Sequence, residues 1–195
     1  MQIFGVILAG GQASRMGGAD KALADLGGQS LLAHVTQRFA PQVQSLALSA
    51  NGDAARFAAY GLPVLPDDTP KGPLSGILQA LLWAAPLGAT AVVSVPVDGP
   101  FLPCDLVPRL CLAAKGPGLA MASSNGTLHP TFALWPITLA PALAAFLASG
   151  AKARIRDFAL SYHAAFADFP DDLAFANANT AQDLTRLAAG LDSLP

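Results

Sequence analysis

The chain has 195 residues, of which 53% are hydrophobic and 12% are charged. This composition excludes a disordered protein, because disorder requires low hydrophobicity and a high net charge. The formal net charge is −2 and the sequence contains no basic tail or stripe, which argues against nucleic-acid binding. The length suits one α/β domain, and we expect residues 1–195 to form a single domain.

Signals for secretion and membrane insertion are absent from the sequence. No basic residue precedes Arg15, whereas a signal peptide begins with a positively charged region. The most apolar stretch, residues 139–148, contains Pro141 and is shorter than the roughly 20 residues that span a bilayer. We therefore expect a cytoplasmic protein that has no membrane contact.

The hydrophobic pattern predicts strands that alternate with helices along the chain. The first strand is Ile3–Leu8, an apolar run followed by glycines. Further strands are predicted at residues 45–49, 63–65, 91–97, 119–123, 130–135 and 162–169. Helices are predicted at residues 30–40, 53–60, 72–85, 103–114, 137–149 and 180–189. The alternation predicts a three-layer α/β/α fold with a mostly parallel, Rossmann-like sheet.

Polar residues follow four of the predicted strands directly. They are residues 10–21, Asn51, Asp67 and Asp98. In sheets of this kind, ligands bind outside the carboxyl ends of the strands. We therefore expect all four groups to meet at one edge of the sheet.

The segment after the first strand combines four glycines with Arg15 and Lys21. Glycines let backbone amides approach a phosphate, and the two cations supply matching positive charge. A P-loop needs Gly-Lys-Ser/Thr and a dinucleotide fingerprint needs Gly-x-Gly-x-x-Gly, and neither spacing occurs here. The segment is therefore either a different kind of phosphate-binding loop or a glycine-rich surface turn.

Two aspartates that follow strands are candidate ligand contacts. Asp98 can hold Mg²⁺, which completes its shell with water and substrate phosphates. Asp67 is a carboxylate at a strand end that can accept hydrogen bonds from a ligand. Each position is also compatible with a simple turn, because Asp98 precedes Gly-Pro and Asp67 lies in Asp-Asp-Thr-Pro.

The motif that begins at Leu8 reads Leu-Ala-Gly-Gly-x-x-x-Arg-Met-Gly and is followed closely by Asp-Lys. It resembles the signature of the nucleotidyltransferases related to molybdenum cofactor guanylyltransferase. The resemblance covers nearly the whole chain. It includes Gly-Pro-Leu-Ser-Gly at residues 72–76, Asp-Gly-Pro-Phe at 98–101, His-Pro-Thr at 129–131 and Asn-Ala-Asn-Thr at 177–180. Related cytidylyltransferases usually have Leu-Ala-Ala-Gly, so Gly10-Gly11 favours guanine.

The resemblance implies an α/β nucleotidyltransferase that transfers GMP from GTP to the molybdenum-molybdopterin cofactor. Pyrophosphate would be released and molybdopterin guanine dinucleotide formed, with Mg²⁺ as the cofactor. The implied catalytic residues are Arg15, Lys21 and Asp98, and Asp98 is the implied metal ligand. Implied GTP contacts are Leu8, Ala9, Gly10, Gly11, Lys21, Asn51, Asp67 and Asp98. On the side of the second substrate, they are Gly72, Gly76, Asn177 and Asn179.

Several of these residues also have purely structural interpretations. Gly72 and Gly76 suit close packing of a helix on the sheet, and Asn177 and Asn179 suit the capping of the last helix. His129 precedes a strand, and Lys152, Arg154 and Arg156 form either a solvated face or an anion contact. Two other functions remain open, a cytidylyltransferase on the same scaffold and a nucleotide-binding module without catalysis. The implied reaction would also involve transient contact with proteins that deliver or receive the cofactor.

Overall fold

The computed structural model describes residues 1–10, 20–67, 72–116, 118–150 and 152–190. The strands are β1 (Ile3–Leu8), β2 (Asp25–Leu26), β3 (Gln29–Ser30), β4 (Ser45–Ser49), β5 (Val64–Leu65), β6 (Ala91–Pro96), β7 (Ala120–Ser124), β8 (Thr127–Pro136) and β9 (Ala165–Phe169). The α-helices are α1 (Leu31–Phe39), α2 (Pro73–Ala84), α3 (Leu106–Ala114), α4 (Ala140–Ala148), α5 (Ile155–Ser161) and α6 (Ala181–Ala188).

The main sheet has seven strands in the order β5-β4-β1-β6-β8-β7-β9. Strands β5, β4, β1 and β6 are parallel neighbours, and β9 is parallel to β7. Strand β8 runs antiparallel between β6 and β7. The prediction of a mostly parallel sheet is confirmed. The carboxyl ends of β4, β5, β1 and β6 lie side by side, as a shared ligand-binding edge requires.

Helices cover both faces of the sheet, so the predicted three layers are present. Helices α1 and α3 pack on one face, whereas α2, α4 and α5 pack on the other. Strand β1 separates the two cores, because Ile3 and Ile7 face α1 while Phe4 and Val6 face α2. A Cβ on Gly5 would lie 2.7 Å from Cε1 of Phe39, so glycine here lets α1 sit directly on the strand.

Several elements differ from the sequence prediction. The predicted strand 162–169 begins only at Ala165, and residues 155–161, for which no helix was predicted, form helix α5. Ile155, Phe158 and Ala159 are buried against the α2 face of the sheet, at the i, i+3 and i+4 spacing of a helix. The predicted helix 103–114 begins at Leu106, and residues 137–139 form a 3-10 helix before α4.

The carboxyl-terminal segment packs beside the carboxyl edge of the sheet. Leu187 of α6 packs with Leu26 of β2 and Phe101 in a separate apolar cluster. Thr180 and Asp183 form a reciprocal capping box at the start of this helix. The packing places residues 177–179 beside the end of β6. None of the helices in the described ranges is long and apolar enough to span a bilayer.

Candidate active site

Lys21 and Asp98 meet at the carboxyl edge of the sheet, although 77 positions separate them in the chain. Lys21 Nζ donates to Asp98 Oδ2 over 2.6 Å, and it also donates to Asn179 Oδ1 over 2.6 Å. The side chains of Lys21 and Asp98 are 27% and 20% exposed, so the pair is open to a ligand. Gly11 and Arg15, which the sequence assigns to the same loop, lie outside the described residues.

The turn that carries Asp98 is fixed on two sides. Ala178 N donates to the backbone oxygen of Asp98 over 2.9 Å, which ties the carboxyl-terminal segment to the end of β6. A Cβ on Gly99 would lie 2.6 Å from Cζ of Phe132, so only glycine fits against this ring without a shift. The Asp98 side chain points toward the open edge rather than into the core, since its carboxylate bonds Lys21.

The chemistry of Asp98 fits a magnesium ion that the substrate helps to hold. Within the described ranges, no group of three or more His, Cys, Asp or Glu side chains gathers to form a metal cage. Magnesium is commonly bound through one or two carboxylates, with water and substrate phosphates as the other ligands. A single, partly exposed carboxylate beside Lys21 therefore suits Mg²⁺ better than a metal that needs an all-protein cage.

Asn51 and Asp67 form a second group at the same edge. The Asn51 Oδ1 atom accepts from the backbone amide of Asp67 over 2.8 Å, which joins the turns that follow β4 and β5. Ser75, near the start of α2, donates its hydroxyl to Asp67 Oδ2. Ser75 is 4% exposed, so a nearly buried hydroxyl orients a carboxylate that lies at the open edge. Sequence reasoning did not single out Ser75.

Arg56 was also missed by sequence reasoning. Its Nε atom donates to Asp20 Oδ2 over 2.6 Å, and its Nη2 atom donates to the backbone oxygen of Asn51 over 2.6 Å. Asp20 directly precedes Lys21, and its other oxygen accepts from Ala22 N at the start of a short 3-10 helix. The signal in the sequence was that Asp20 directly precedes Lys21, so a further cation was needed to pair with the Asp20 carboxylate.

The glycines and the end of β1 have mainly structural surroundings. Backbone hydrogen bonds from Ala9 N to Ser49 O and from Val97 N to Leu8 O hold the start of the loop between the ends of β4 and β6. Gly10 is exposed, and a Cβ there would meet nothing within 4 Å. Gly76 packs closely, since its Cβ would lie 2.5 Å from Ser49 Oγ. Gly72 has a φ of +77° and forms the N-cap of α2.

The segment 177–179 alternates as the sequence predicts. Asn177 and Asn179 are exposed, whereas Ala178 between them is fully buried. Asn179 reaches Lys21, and its backbone amide donates to Asp183 Oδ2 over 3.1 Å. The structure therefore gives Asn179 both a capping role and a place in the cluster. The interaction with Thr180 lowers the pKa of Asp183, with further support from the Asn179 amide.

His129 lies in an aromatic cluster beyond the Asp98 turn. Its ring stacks on Phe175 with the centroids 4.3 Å apart, and its Nε2 atom is 2.7 Å from the buried hydroxyl of Ser124. Burial lowers the pKa of His129, and the nearby charge of Asp172 opposes this shift. Phe132, which contacts Gly99, packs edge-on to both rings. Lys152, Arg154 and Arg156 are exposed at the beginning of α5.

Comparison with known proteins identifies the family. The model of the MobA-like NTP transferase domain matches residues 5–169. This chain belongs to that family. A molybdenum cofactor guanylyltransferase from Cereibacter sphaeroides is 55% identical over 186 residues, which cover 95% of each chain. A protein of the same name from Bradyrhizobium is 48% identical over 196 residues, covering 95% of this chain and 92% of that one.

Solved structures of MobA-like and related proteins share the fold. Molybdopterin-guanine dinucleotide biosynthesis protein A from Archaeoglobus fulgidus aligns over 98% of this chain and 100% of its own, with a TM-score of 0.77 and 20% identity. A 4-diphosphocytidyl-2C-methyl-D-erythritol synthase from Anaerococcus prevotii aligns over 97% and 98%, with a TM-score of 0.75 and 12% identity. At these identities the likeness shows the fold alone. The expected α/β nucleotidyltransferase fold and the expected family are both confirmed.

Proposed function

We propose that this MobA-like protein transfers GMP from GTP to the molybdenum-molybdopterin cofactor. The observation that carries the proposal is the meeting of Lys21 and Asp98 at the edge of the sheet. A cation for phosphates and a carboxylate for a divalent ion stand side by side there. Relatives that cover nearly the whole chain at 48–55% identity are named molybdenum cofactor guanylyltransferase, which supports GTP and the cofactor as substrates.

The proposed reaction is an in-line displacement at phosphorus. An oxygen of the terminal phosphate of the cofactor attacks the α-phosphorus of GTP. The bond between this phosphorus and the oxygen that bridges to the β-phosphorus then breaks, and pyrophosphate leaves. The attacking phosphate is already an anion at neutral pH, so the reaction needs no general base. The work of the protein is therefore to position two anions and to stabilise the charge of the leaving group.

The residues at the edge of the sheet divide this work. Lys21 neutralises charge on the departing pyrophosphate, and we assign the same role to Arg15. Asp98 would hold Mg²⁺, which would supply positive charge to stabilise the phosphates of GTP. Asn51 and Ser75 hold Asp67. We assign to Asp67 the acceptance of hydrogen bonds from the N1–H and amino groups of guanine. Asn177 and Asn179 stand on the side that the second substrate approaches.

The proposal also covers the setting of the reaction. GTP and a soluble cofactor fit a cytoplasmic protein. The product must pass to enzymes that use it, so transient contact with proteins that deliver or accept the cofactor belongs to the proposal.

Pyrophosphate release tests the proposal most directly. The protein would be incubated with each of the four ribonucleoside triphosphates, with and without the molybdenum-molybdopterin cofactor, across a Mg²⁺ titration. We expect release only when GTP, the cofactor and Mg²⁺ are all present. Equal or faster release with CTP would assign the chain to cytidylyl transfer instead. Tight binding of GTP without any release in the presence of the cofactor would indicate a binding module.

A further inference from the structure

We propose that Arg56 is a positioning residue that sets the phosphate-binding lysine at a fixed place relative to the residues that contact the nucleoside. Its guanidinium group joins two segments of the edge of the sheet. One is Asp20, which directly precedes Lys21, and the other is the turn after β4, which begins at Asn51. The inference rests on the proposed nucleotide site and adds a residue that acts on that site through its neighbours.

The guanidinium group uses three nitrogens for this purpose. Nε donates to the Asp20 carboxylate, Nη2 donates to the Asn51 backbone oxygen, and Nη1 donates to the Asp53 backbone oxygen. The carbon of the group also lies 4.4 Å from the centre of the buried Phe57 ring. Bonds in three directions and an aromatic contact hold the planar group in one orientation. Arg56 therefore orders both turns at once.

The contact with Asp20 transmits this order to Lys21. One oxygen of Asp20 accepts from Arg56, while the other accepts from Ala22 N and so starts the 3-10 helix Lys21–Leu23. The lysine is the first residue of that helix, and its ammonium group reaches Asp98. A shift of Asp20 would therefore move the base of the Lys21 side chain directly.

Arg56 also neutralises a charge that would oppose the ligand. Asp20 is 23% exposed and lies next to the lysine of an anion-binding loop, where an unpaired carboxylate would repel a triphosphate. The Arg56 side chain is 29% exposed, so the pair is partly shielded from solvent. The positioning role and the neutralising role can be separated, because lysine preserves the charge but not the three-way bonding.

The experiment measures GTP affinity in the presence of Mg²⁺, together with kcat and KM for GTP in the pyrophosphate assay. The variants are Arg56→Ala, Arg56→Lys, Asp20→Asn, and the double variant Asp20→Asn with Arg56→Ala. Arg109→Ala is the matched control. Arg109 also bonds an aspartate over 2.6 Å and lies over a phenylalanine ring at 5.1 Å, but it sits on α3 away from the nucleotide segments.

We expect Arg56→Ala to lower GTP affinity and kcat/KM about tenfold to a hundredfold, the range that coupled charged neighbours usually give. Arg56→Lys should recover part of the affinity but not of kcat, since it restores charge without orientation. Adding Asp20→Asn to Arg56→Ala should also recover affinity. The loss of affinity in the double variant should therefore be smaller than the product of the losses in the two single variants. Arg109→Ala should keep wild-type affinity and turnover while changing the unfolding temperature to a similar extent.

Three results from the variants would overturn the inference. Losses that multiply fully in the double variant would give Arg56 a nucleotide contact of its own. Equal losses in the Arg109→Ala control would make the effect one of general stability. Wild-type affinity and turnover in Arg56→Ala would remove the role, while the proposed function stands. If the wild type binds GTP but transfers nothing, the proposed function fails and the affinity measurements still decide the role of Arg56. A wild type that binds no nucleotide would overturn both.

Discussion

The two halves of the ligand-binding edge are built differently. In the first half, parallel strands end in polar side chains that bond one another across neighbouring turns, as Arg56 bonds Asp20 and as Ser75 bonds Asp67. In the second half, the antiparallel hairpin of β7 and β8 ends in an aromatic cluster around His129. The first half is held by hydrogen bonds and ion pairs, whereas the second is held by ring packing.

Hydrogen bonds beside Asp98 join the two halves. The Ala178 amide bonds the Asp98 backbone, and Asn179 shares Lys21 with the Asp98 carboxylate. A reaction between two large substrates needs both to be fixed relative to one reacting phosphorus. Under the proposed function, each substrate would be ordered by its own half, and the Lys21 cluster would fix the two halves relative to each other.

Removing Lys21 should have the largest effect on this arrangement. Lys21→Ala deletes the cation of the nucleotide half and the link to the other half together. Because one stabilising donor is typically worth about 3–4 kcal/mol, we expect turnover to fall about a hundredfold to a thousandfold. Steady-state pyrophosphate release measures this loss. Lys115→Ala is the control, because Lys115 is an exposed lysine at the carboxyl end of α3. Near-wild-type turnover would contradict the role of Lys21.

Asp98→Asn should nearly match that loss but differ in its dependence on metal. The change keeps the side-chain volume and the backbone bond to Ala178 while removing the carboxylate charge. Since bound metal contributes several kcal/mol to charge stabilisation, we expect about a hundredfold loss that added Mg²⁺ partly reverses. Magnesium titration of the initial rate measures this shift. Asp105→Asn serves as the control, and an unchanged titration curve in Asp98→Asn would count against a metal role.

Asn179→Ala tests the junction while leaving both halves intact. The variant removes one hydrogen bond to a charged group, so we expect about a tenfold fall in kcat. The KM for GTP should change little, because the contacts of the first half remain. Kinetics at varied concentrations of each substrate separate the two parameters. A rise in the KM for GTP alone would place Asn179 in the nucleotide half instead.

The sequence predicted the first half of the chain better than the second. Strands β1 and β4 begin and end as predicted, because buried parallel strands are continuous apolar runs bounded by turn residues. Helix α5 was missed, because it has only seven residues and its apolar positions become a face only when packed against the sheet. The predicted meeting of polar strand ends followed from parallel topology alone.

The contacts of the candidate site were harder to predict than its members. Lys21, Asp98 and Asn179 were all singled out by motif, yet nothing in their spacing indicates that the lysine bonds the other two. Arg56 and Ser75 escaped because each acts through a neighbour, and such roles depend on which turns the fold places together. Sequence patterns therefore identify groups that touch ligands more readily than groups that orient them.

Ser75→Ala should produce a smaller change within the nucleotide half. The variant removes the hydroxyl that orients Asp67, and it leaves the Asn51 bond to the Asp67 amide in place. We expect about a fivefold loss of kcat/KM for GTP, the value of a typical hydrogen bond of about 1 kcal/mol, because the Asn51 bond still holds the Asp67 turn. Competition between GTP and ATP should show reduced discrimination against ATP. Ser161→Ala is the control, because in the described part of the chain its hydroxyl donates to the backbone oxygen of Phe158 within α5. Unchanged discrimination would separate Ser75 from base recognition.

His129 offers the smallest effect, which concerns stability in the aromatic half. Because burial lowers its pKa, the folded protein resists taking up a proton that the unfolded chain accepts below about pH 6.5. This group therefore leaves stability unchanged at higher pH and lowers it as the pH falls through that value. The charge of Asp172 opposes the shift and limits the effect. Urea unfolding between pH 5 and 8 should show a shallower pH dependence for His129→Gln than for the wild type. Parallel stability profiles of the wild type and His129→Gln would mean that folding does not change the pKa of His129. His163→Gln is the control, because His163 is exposed.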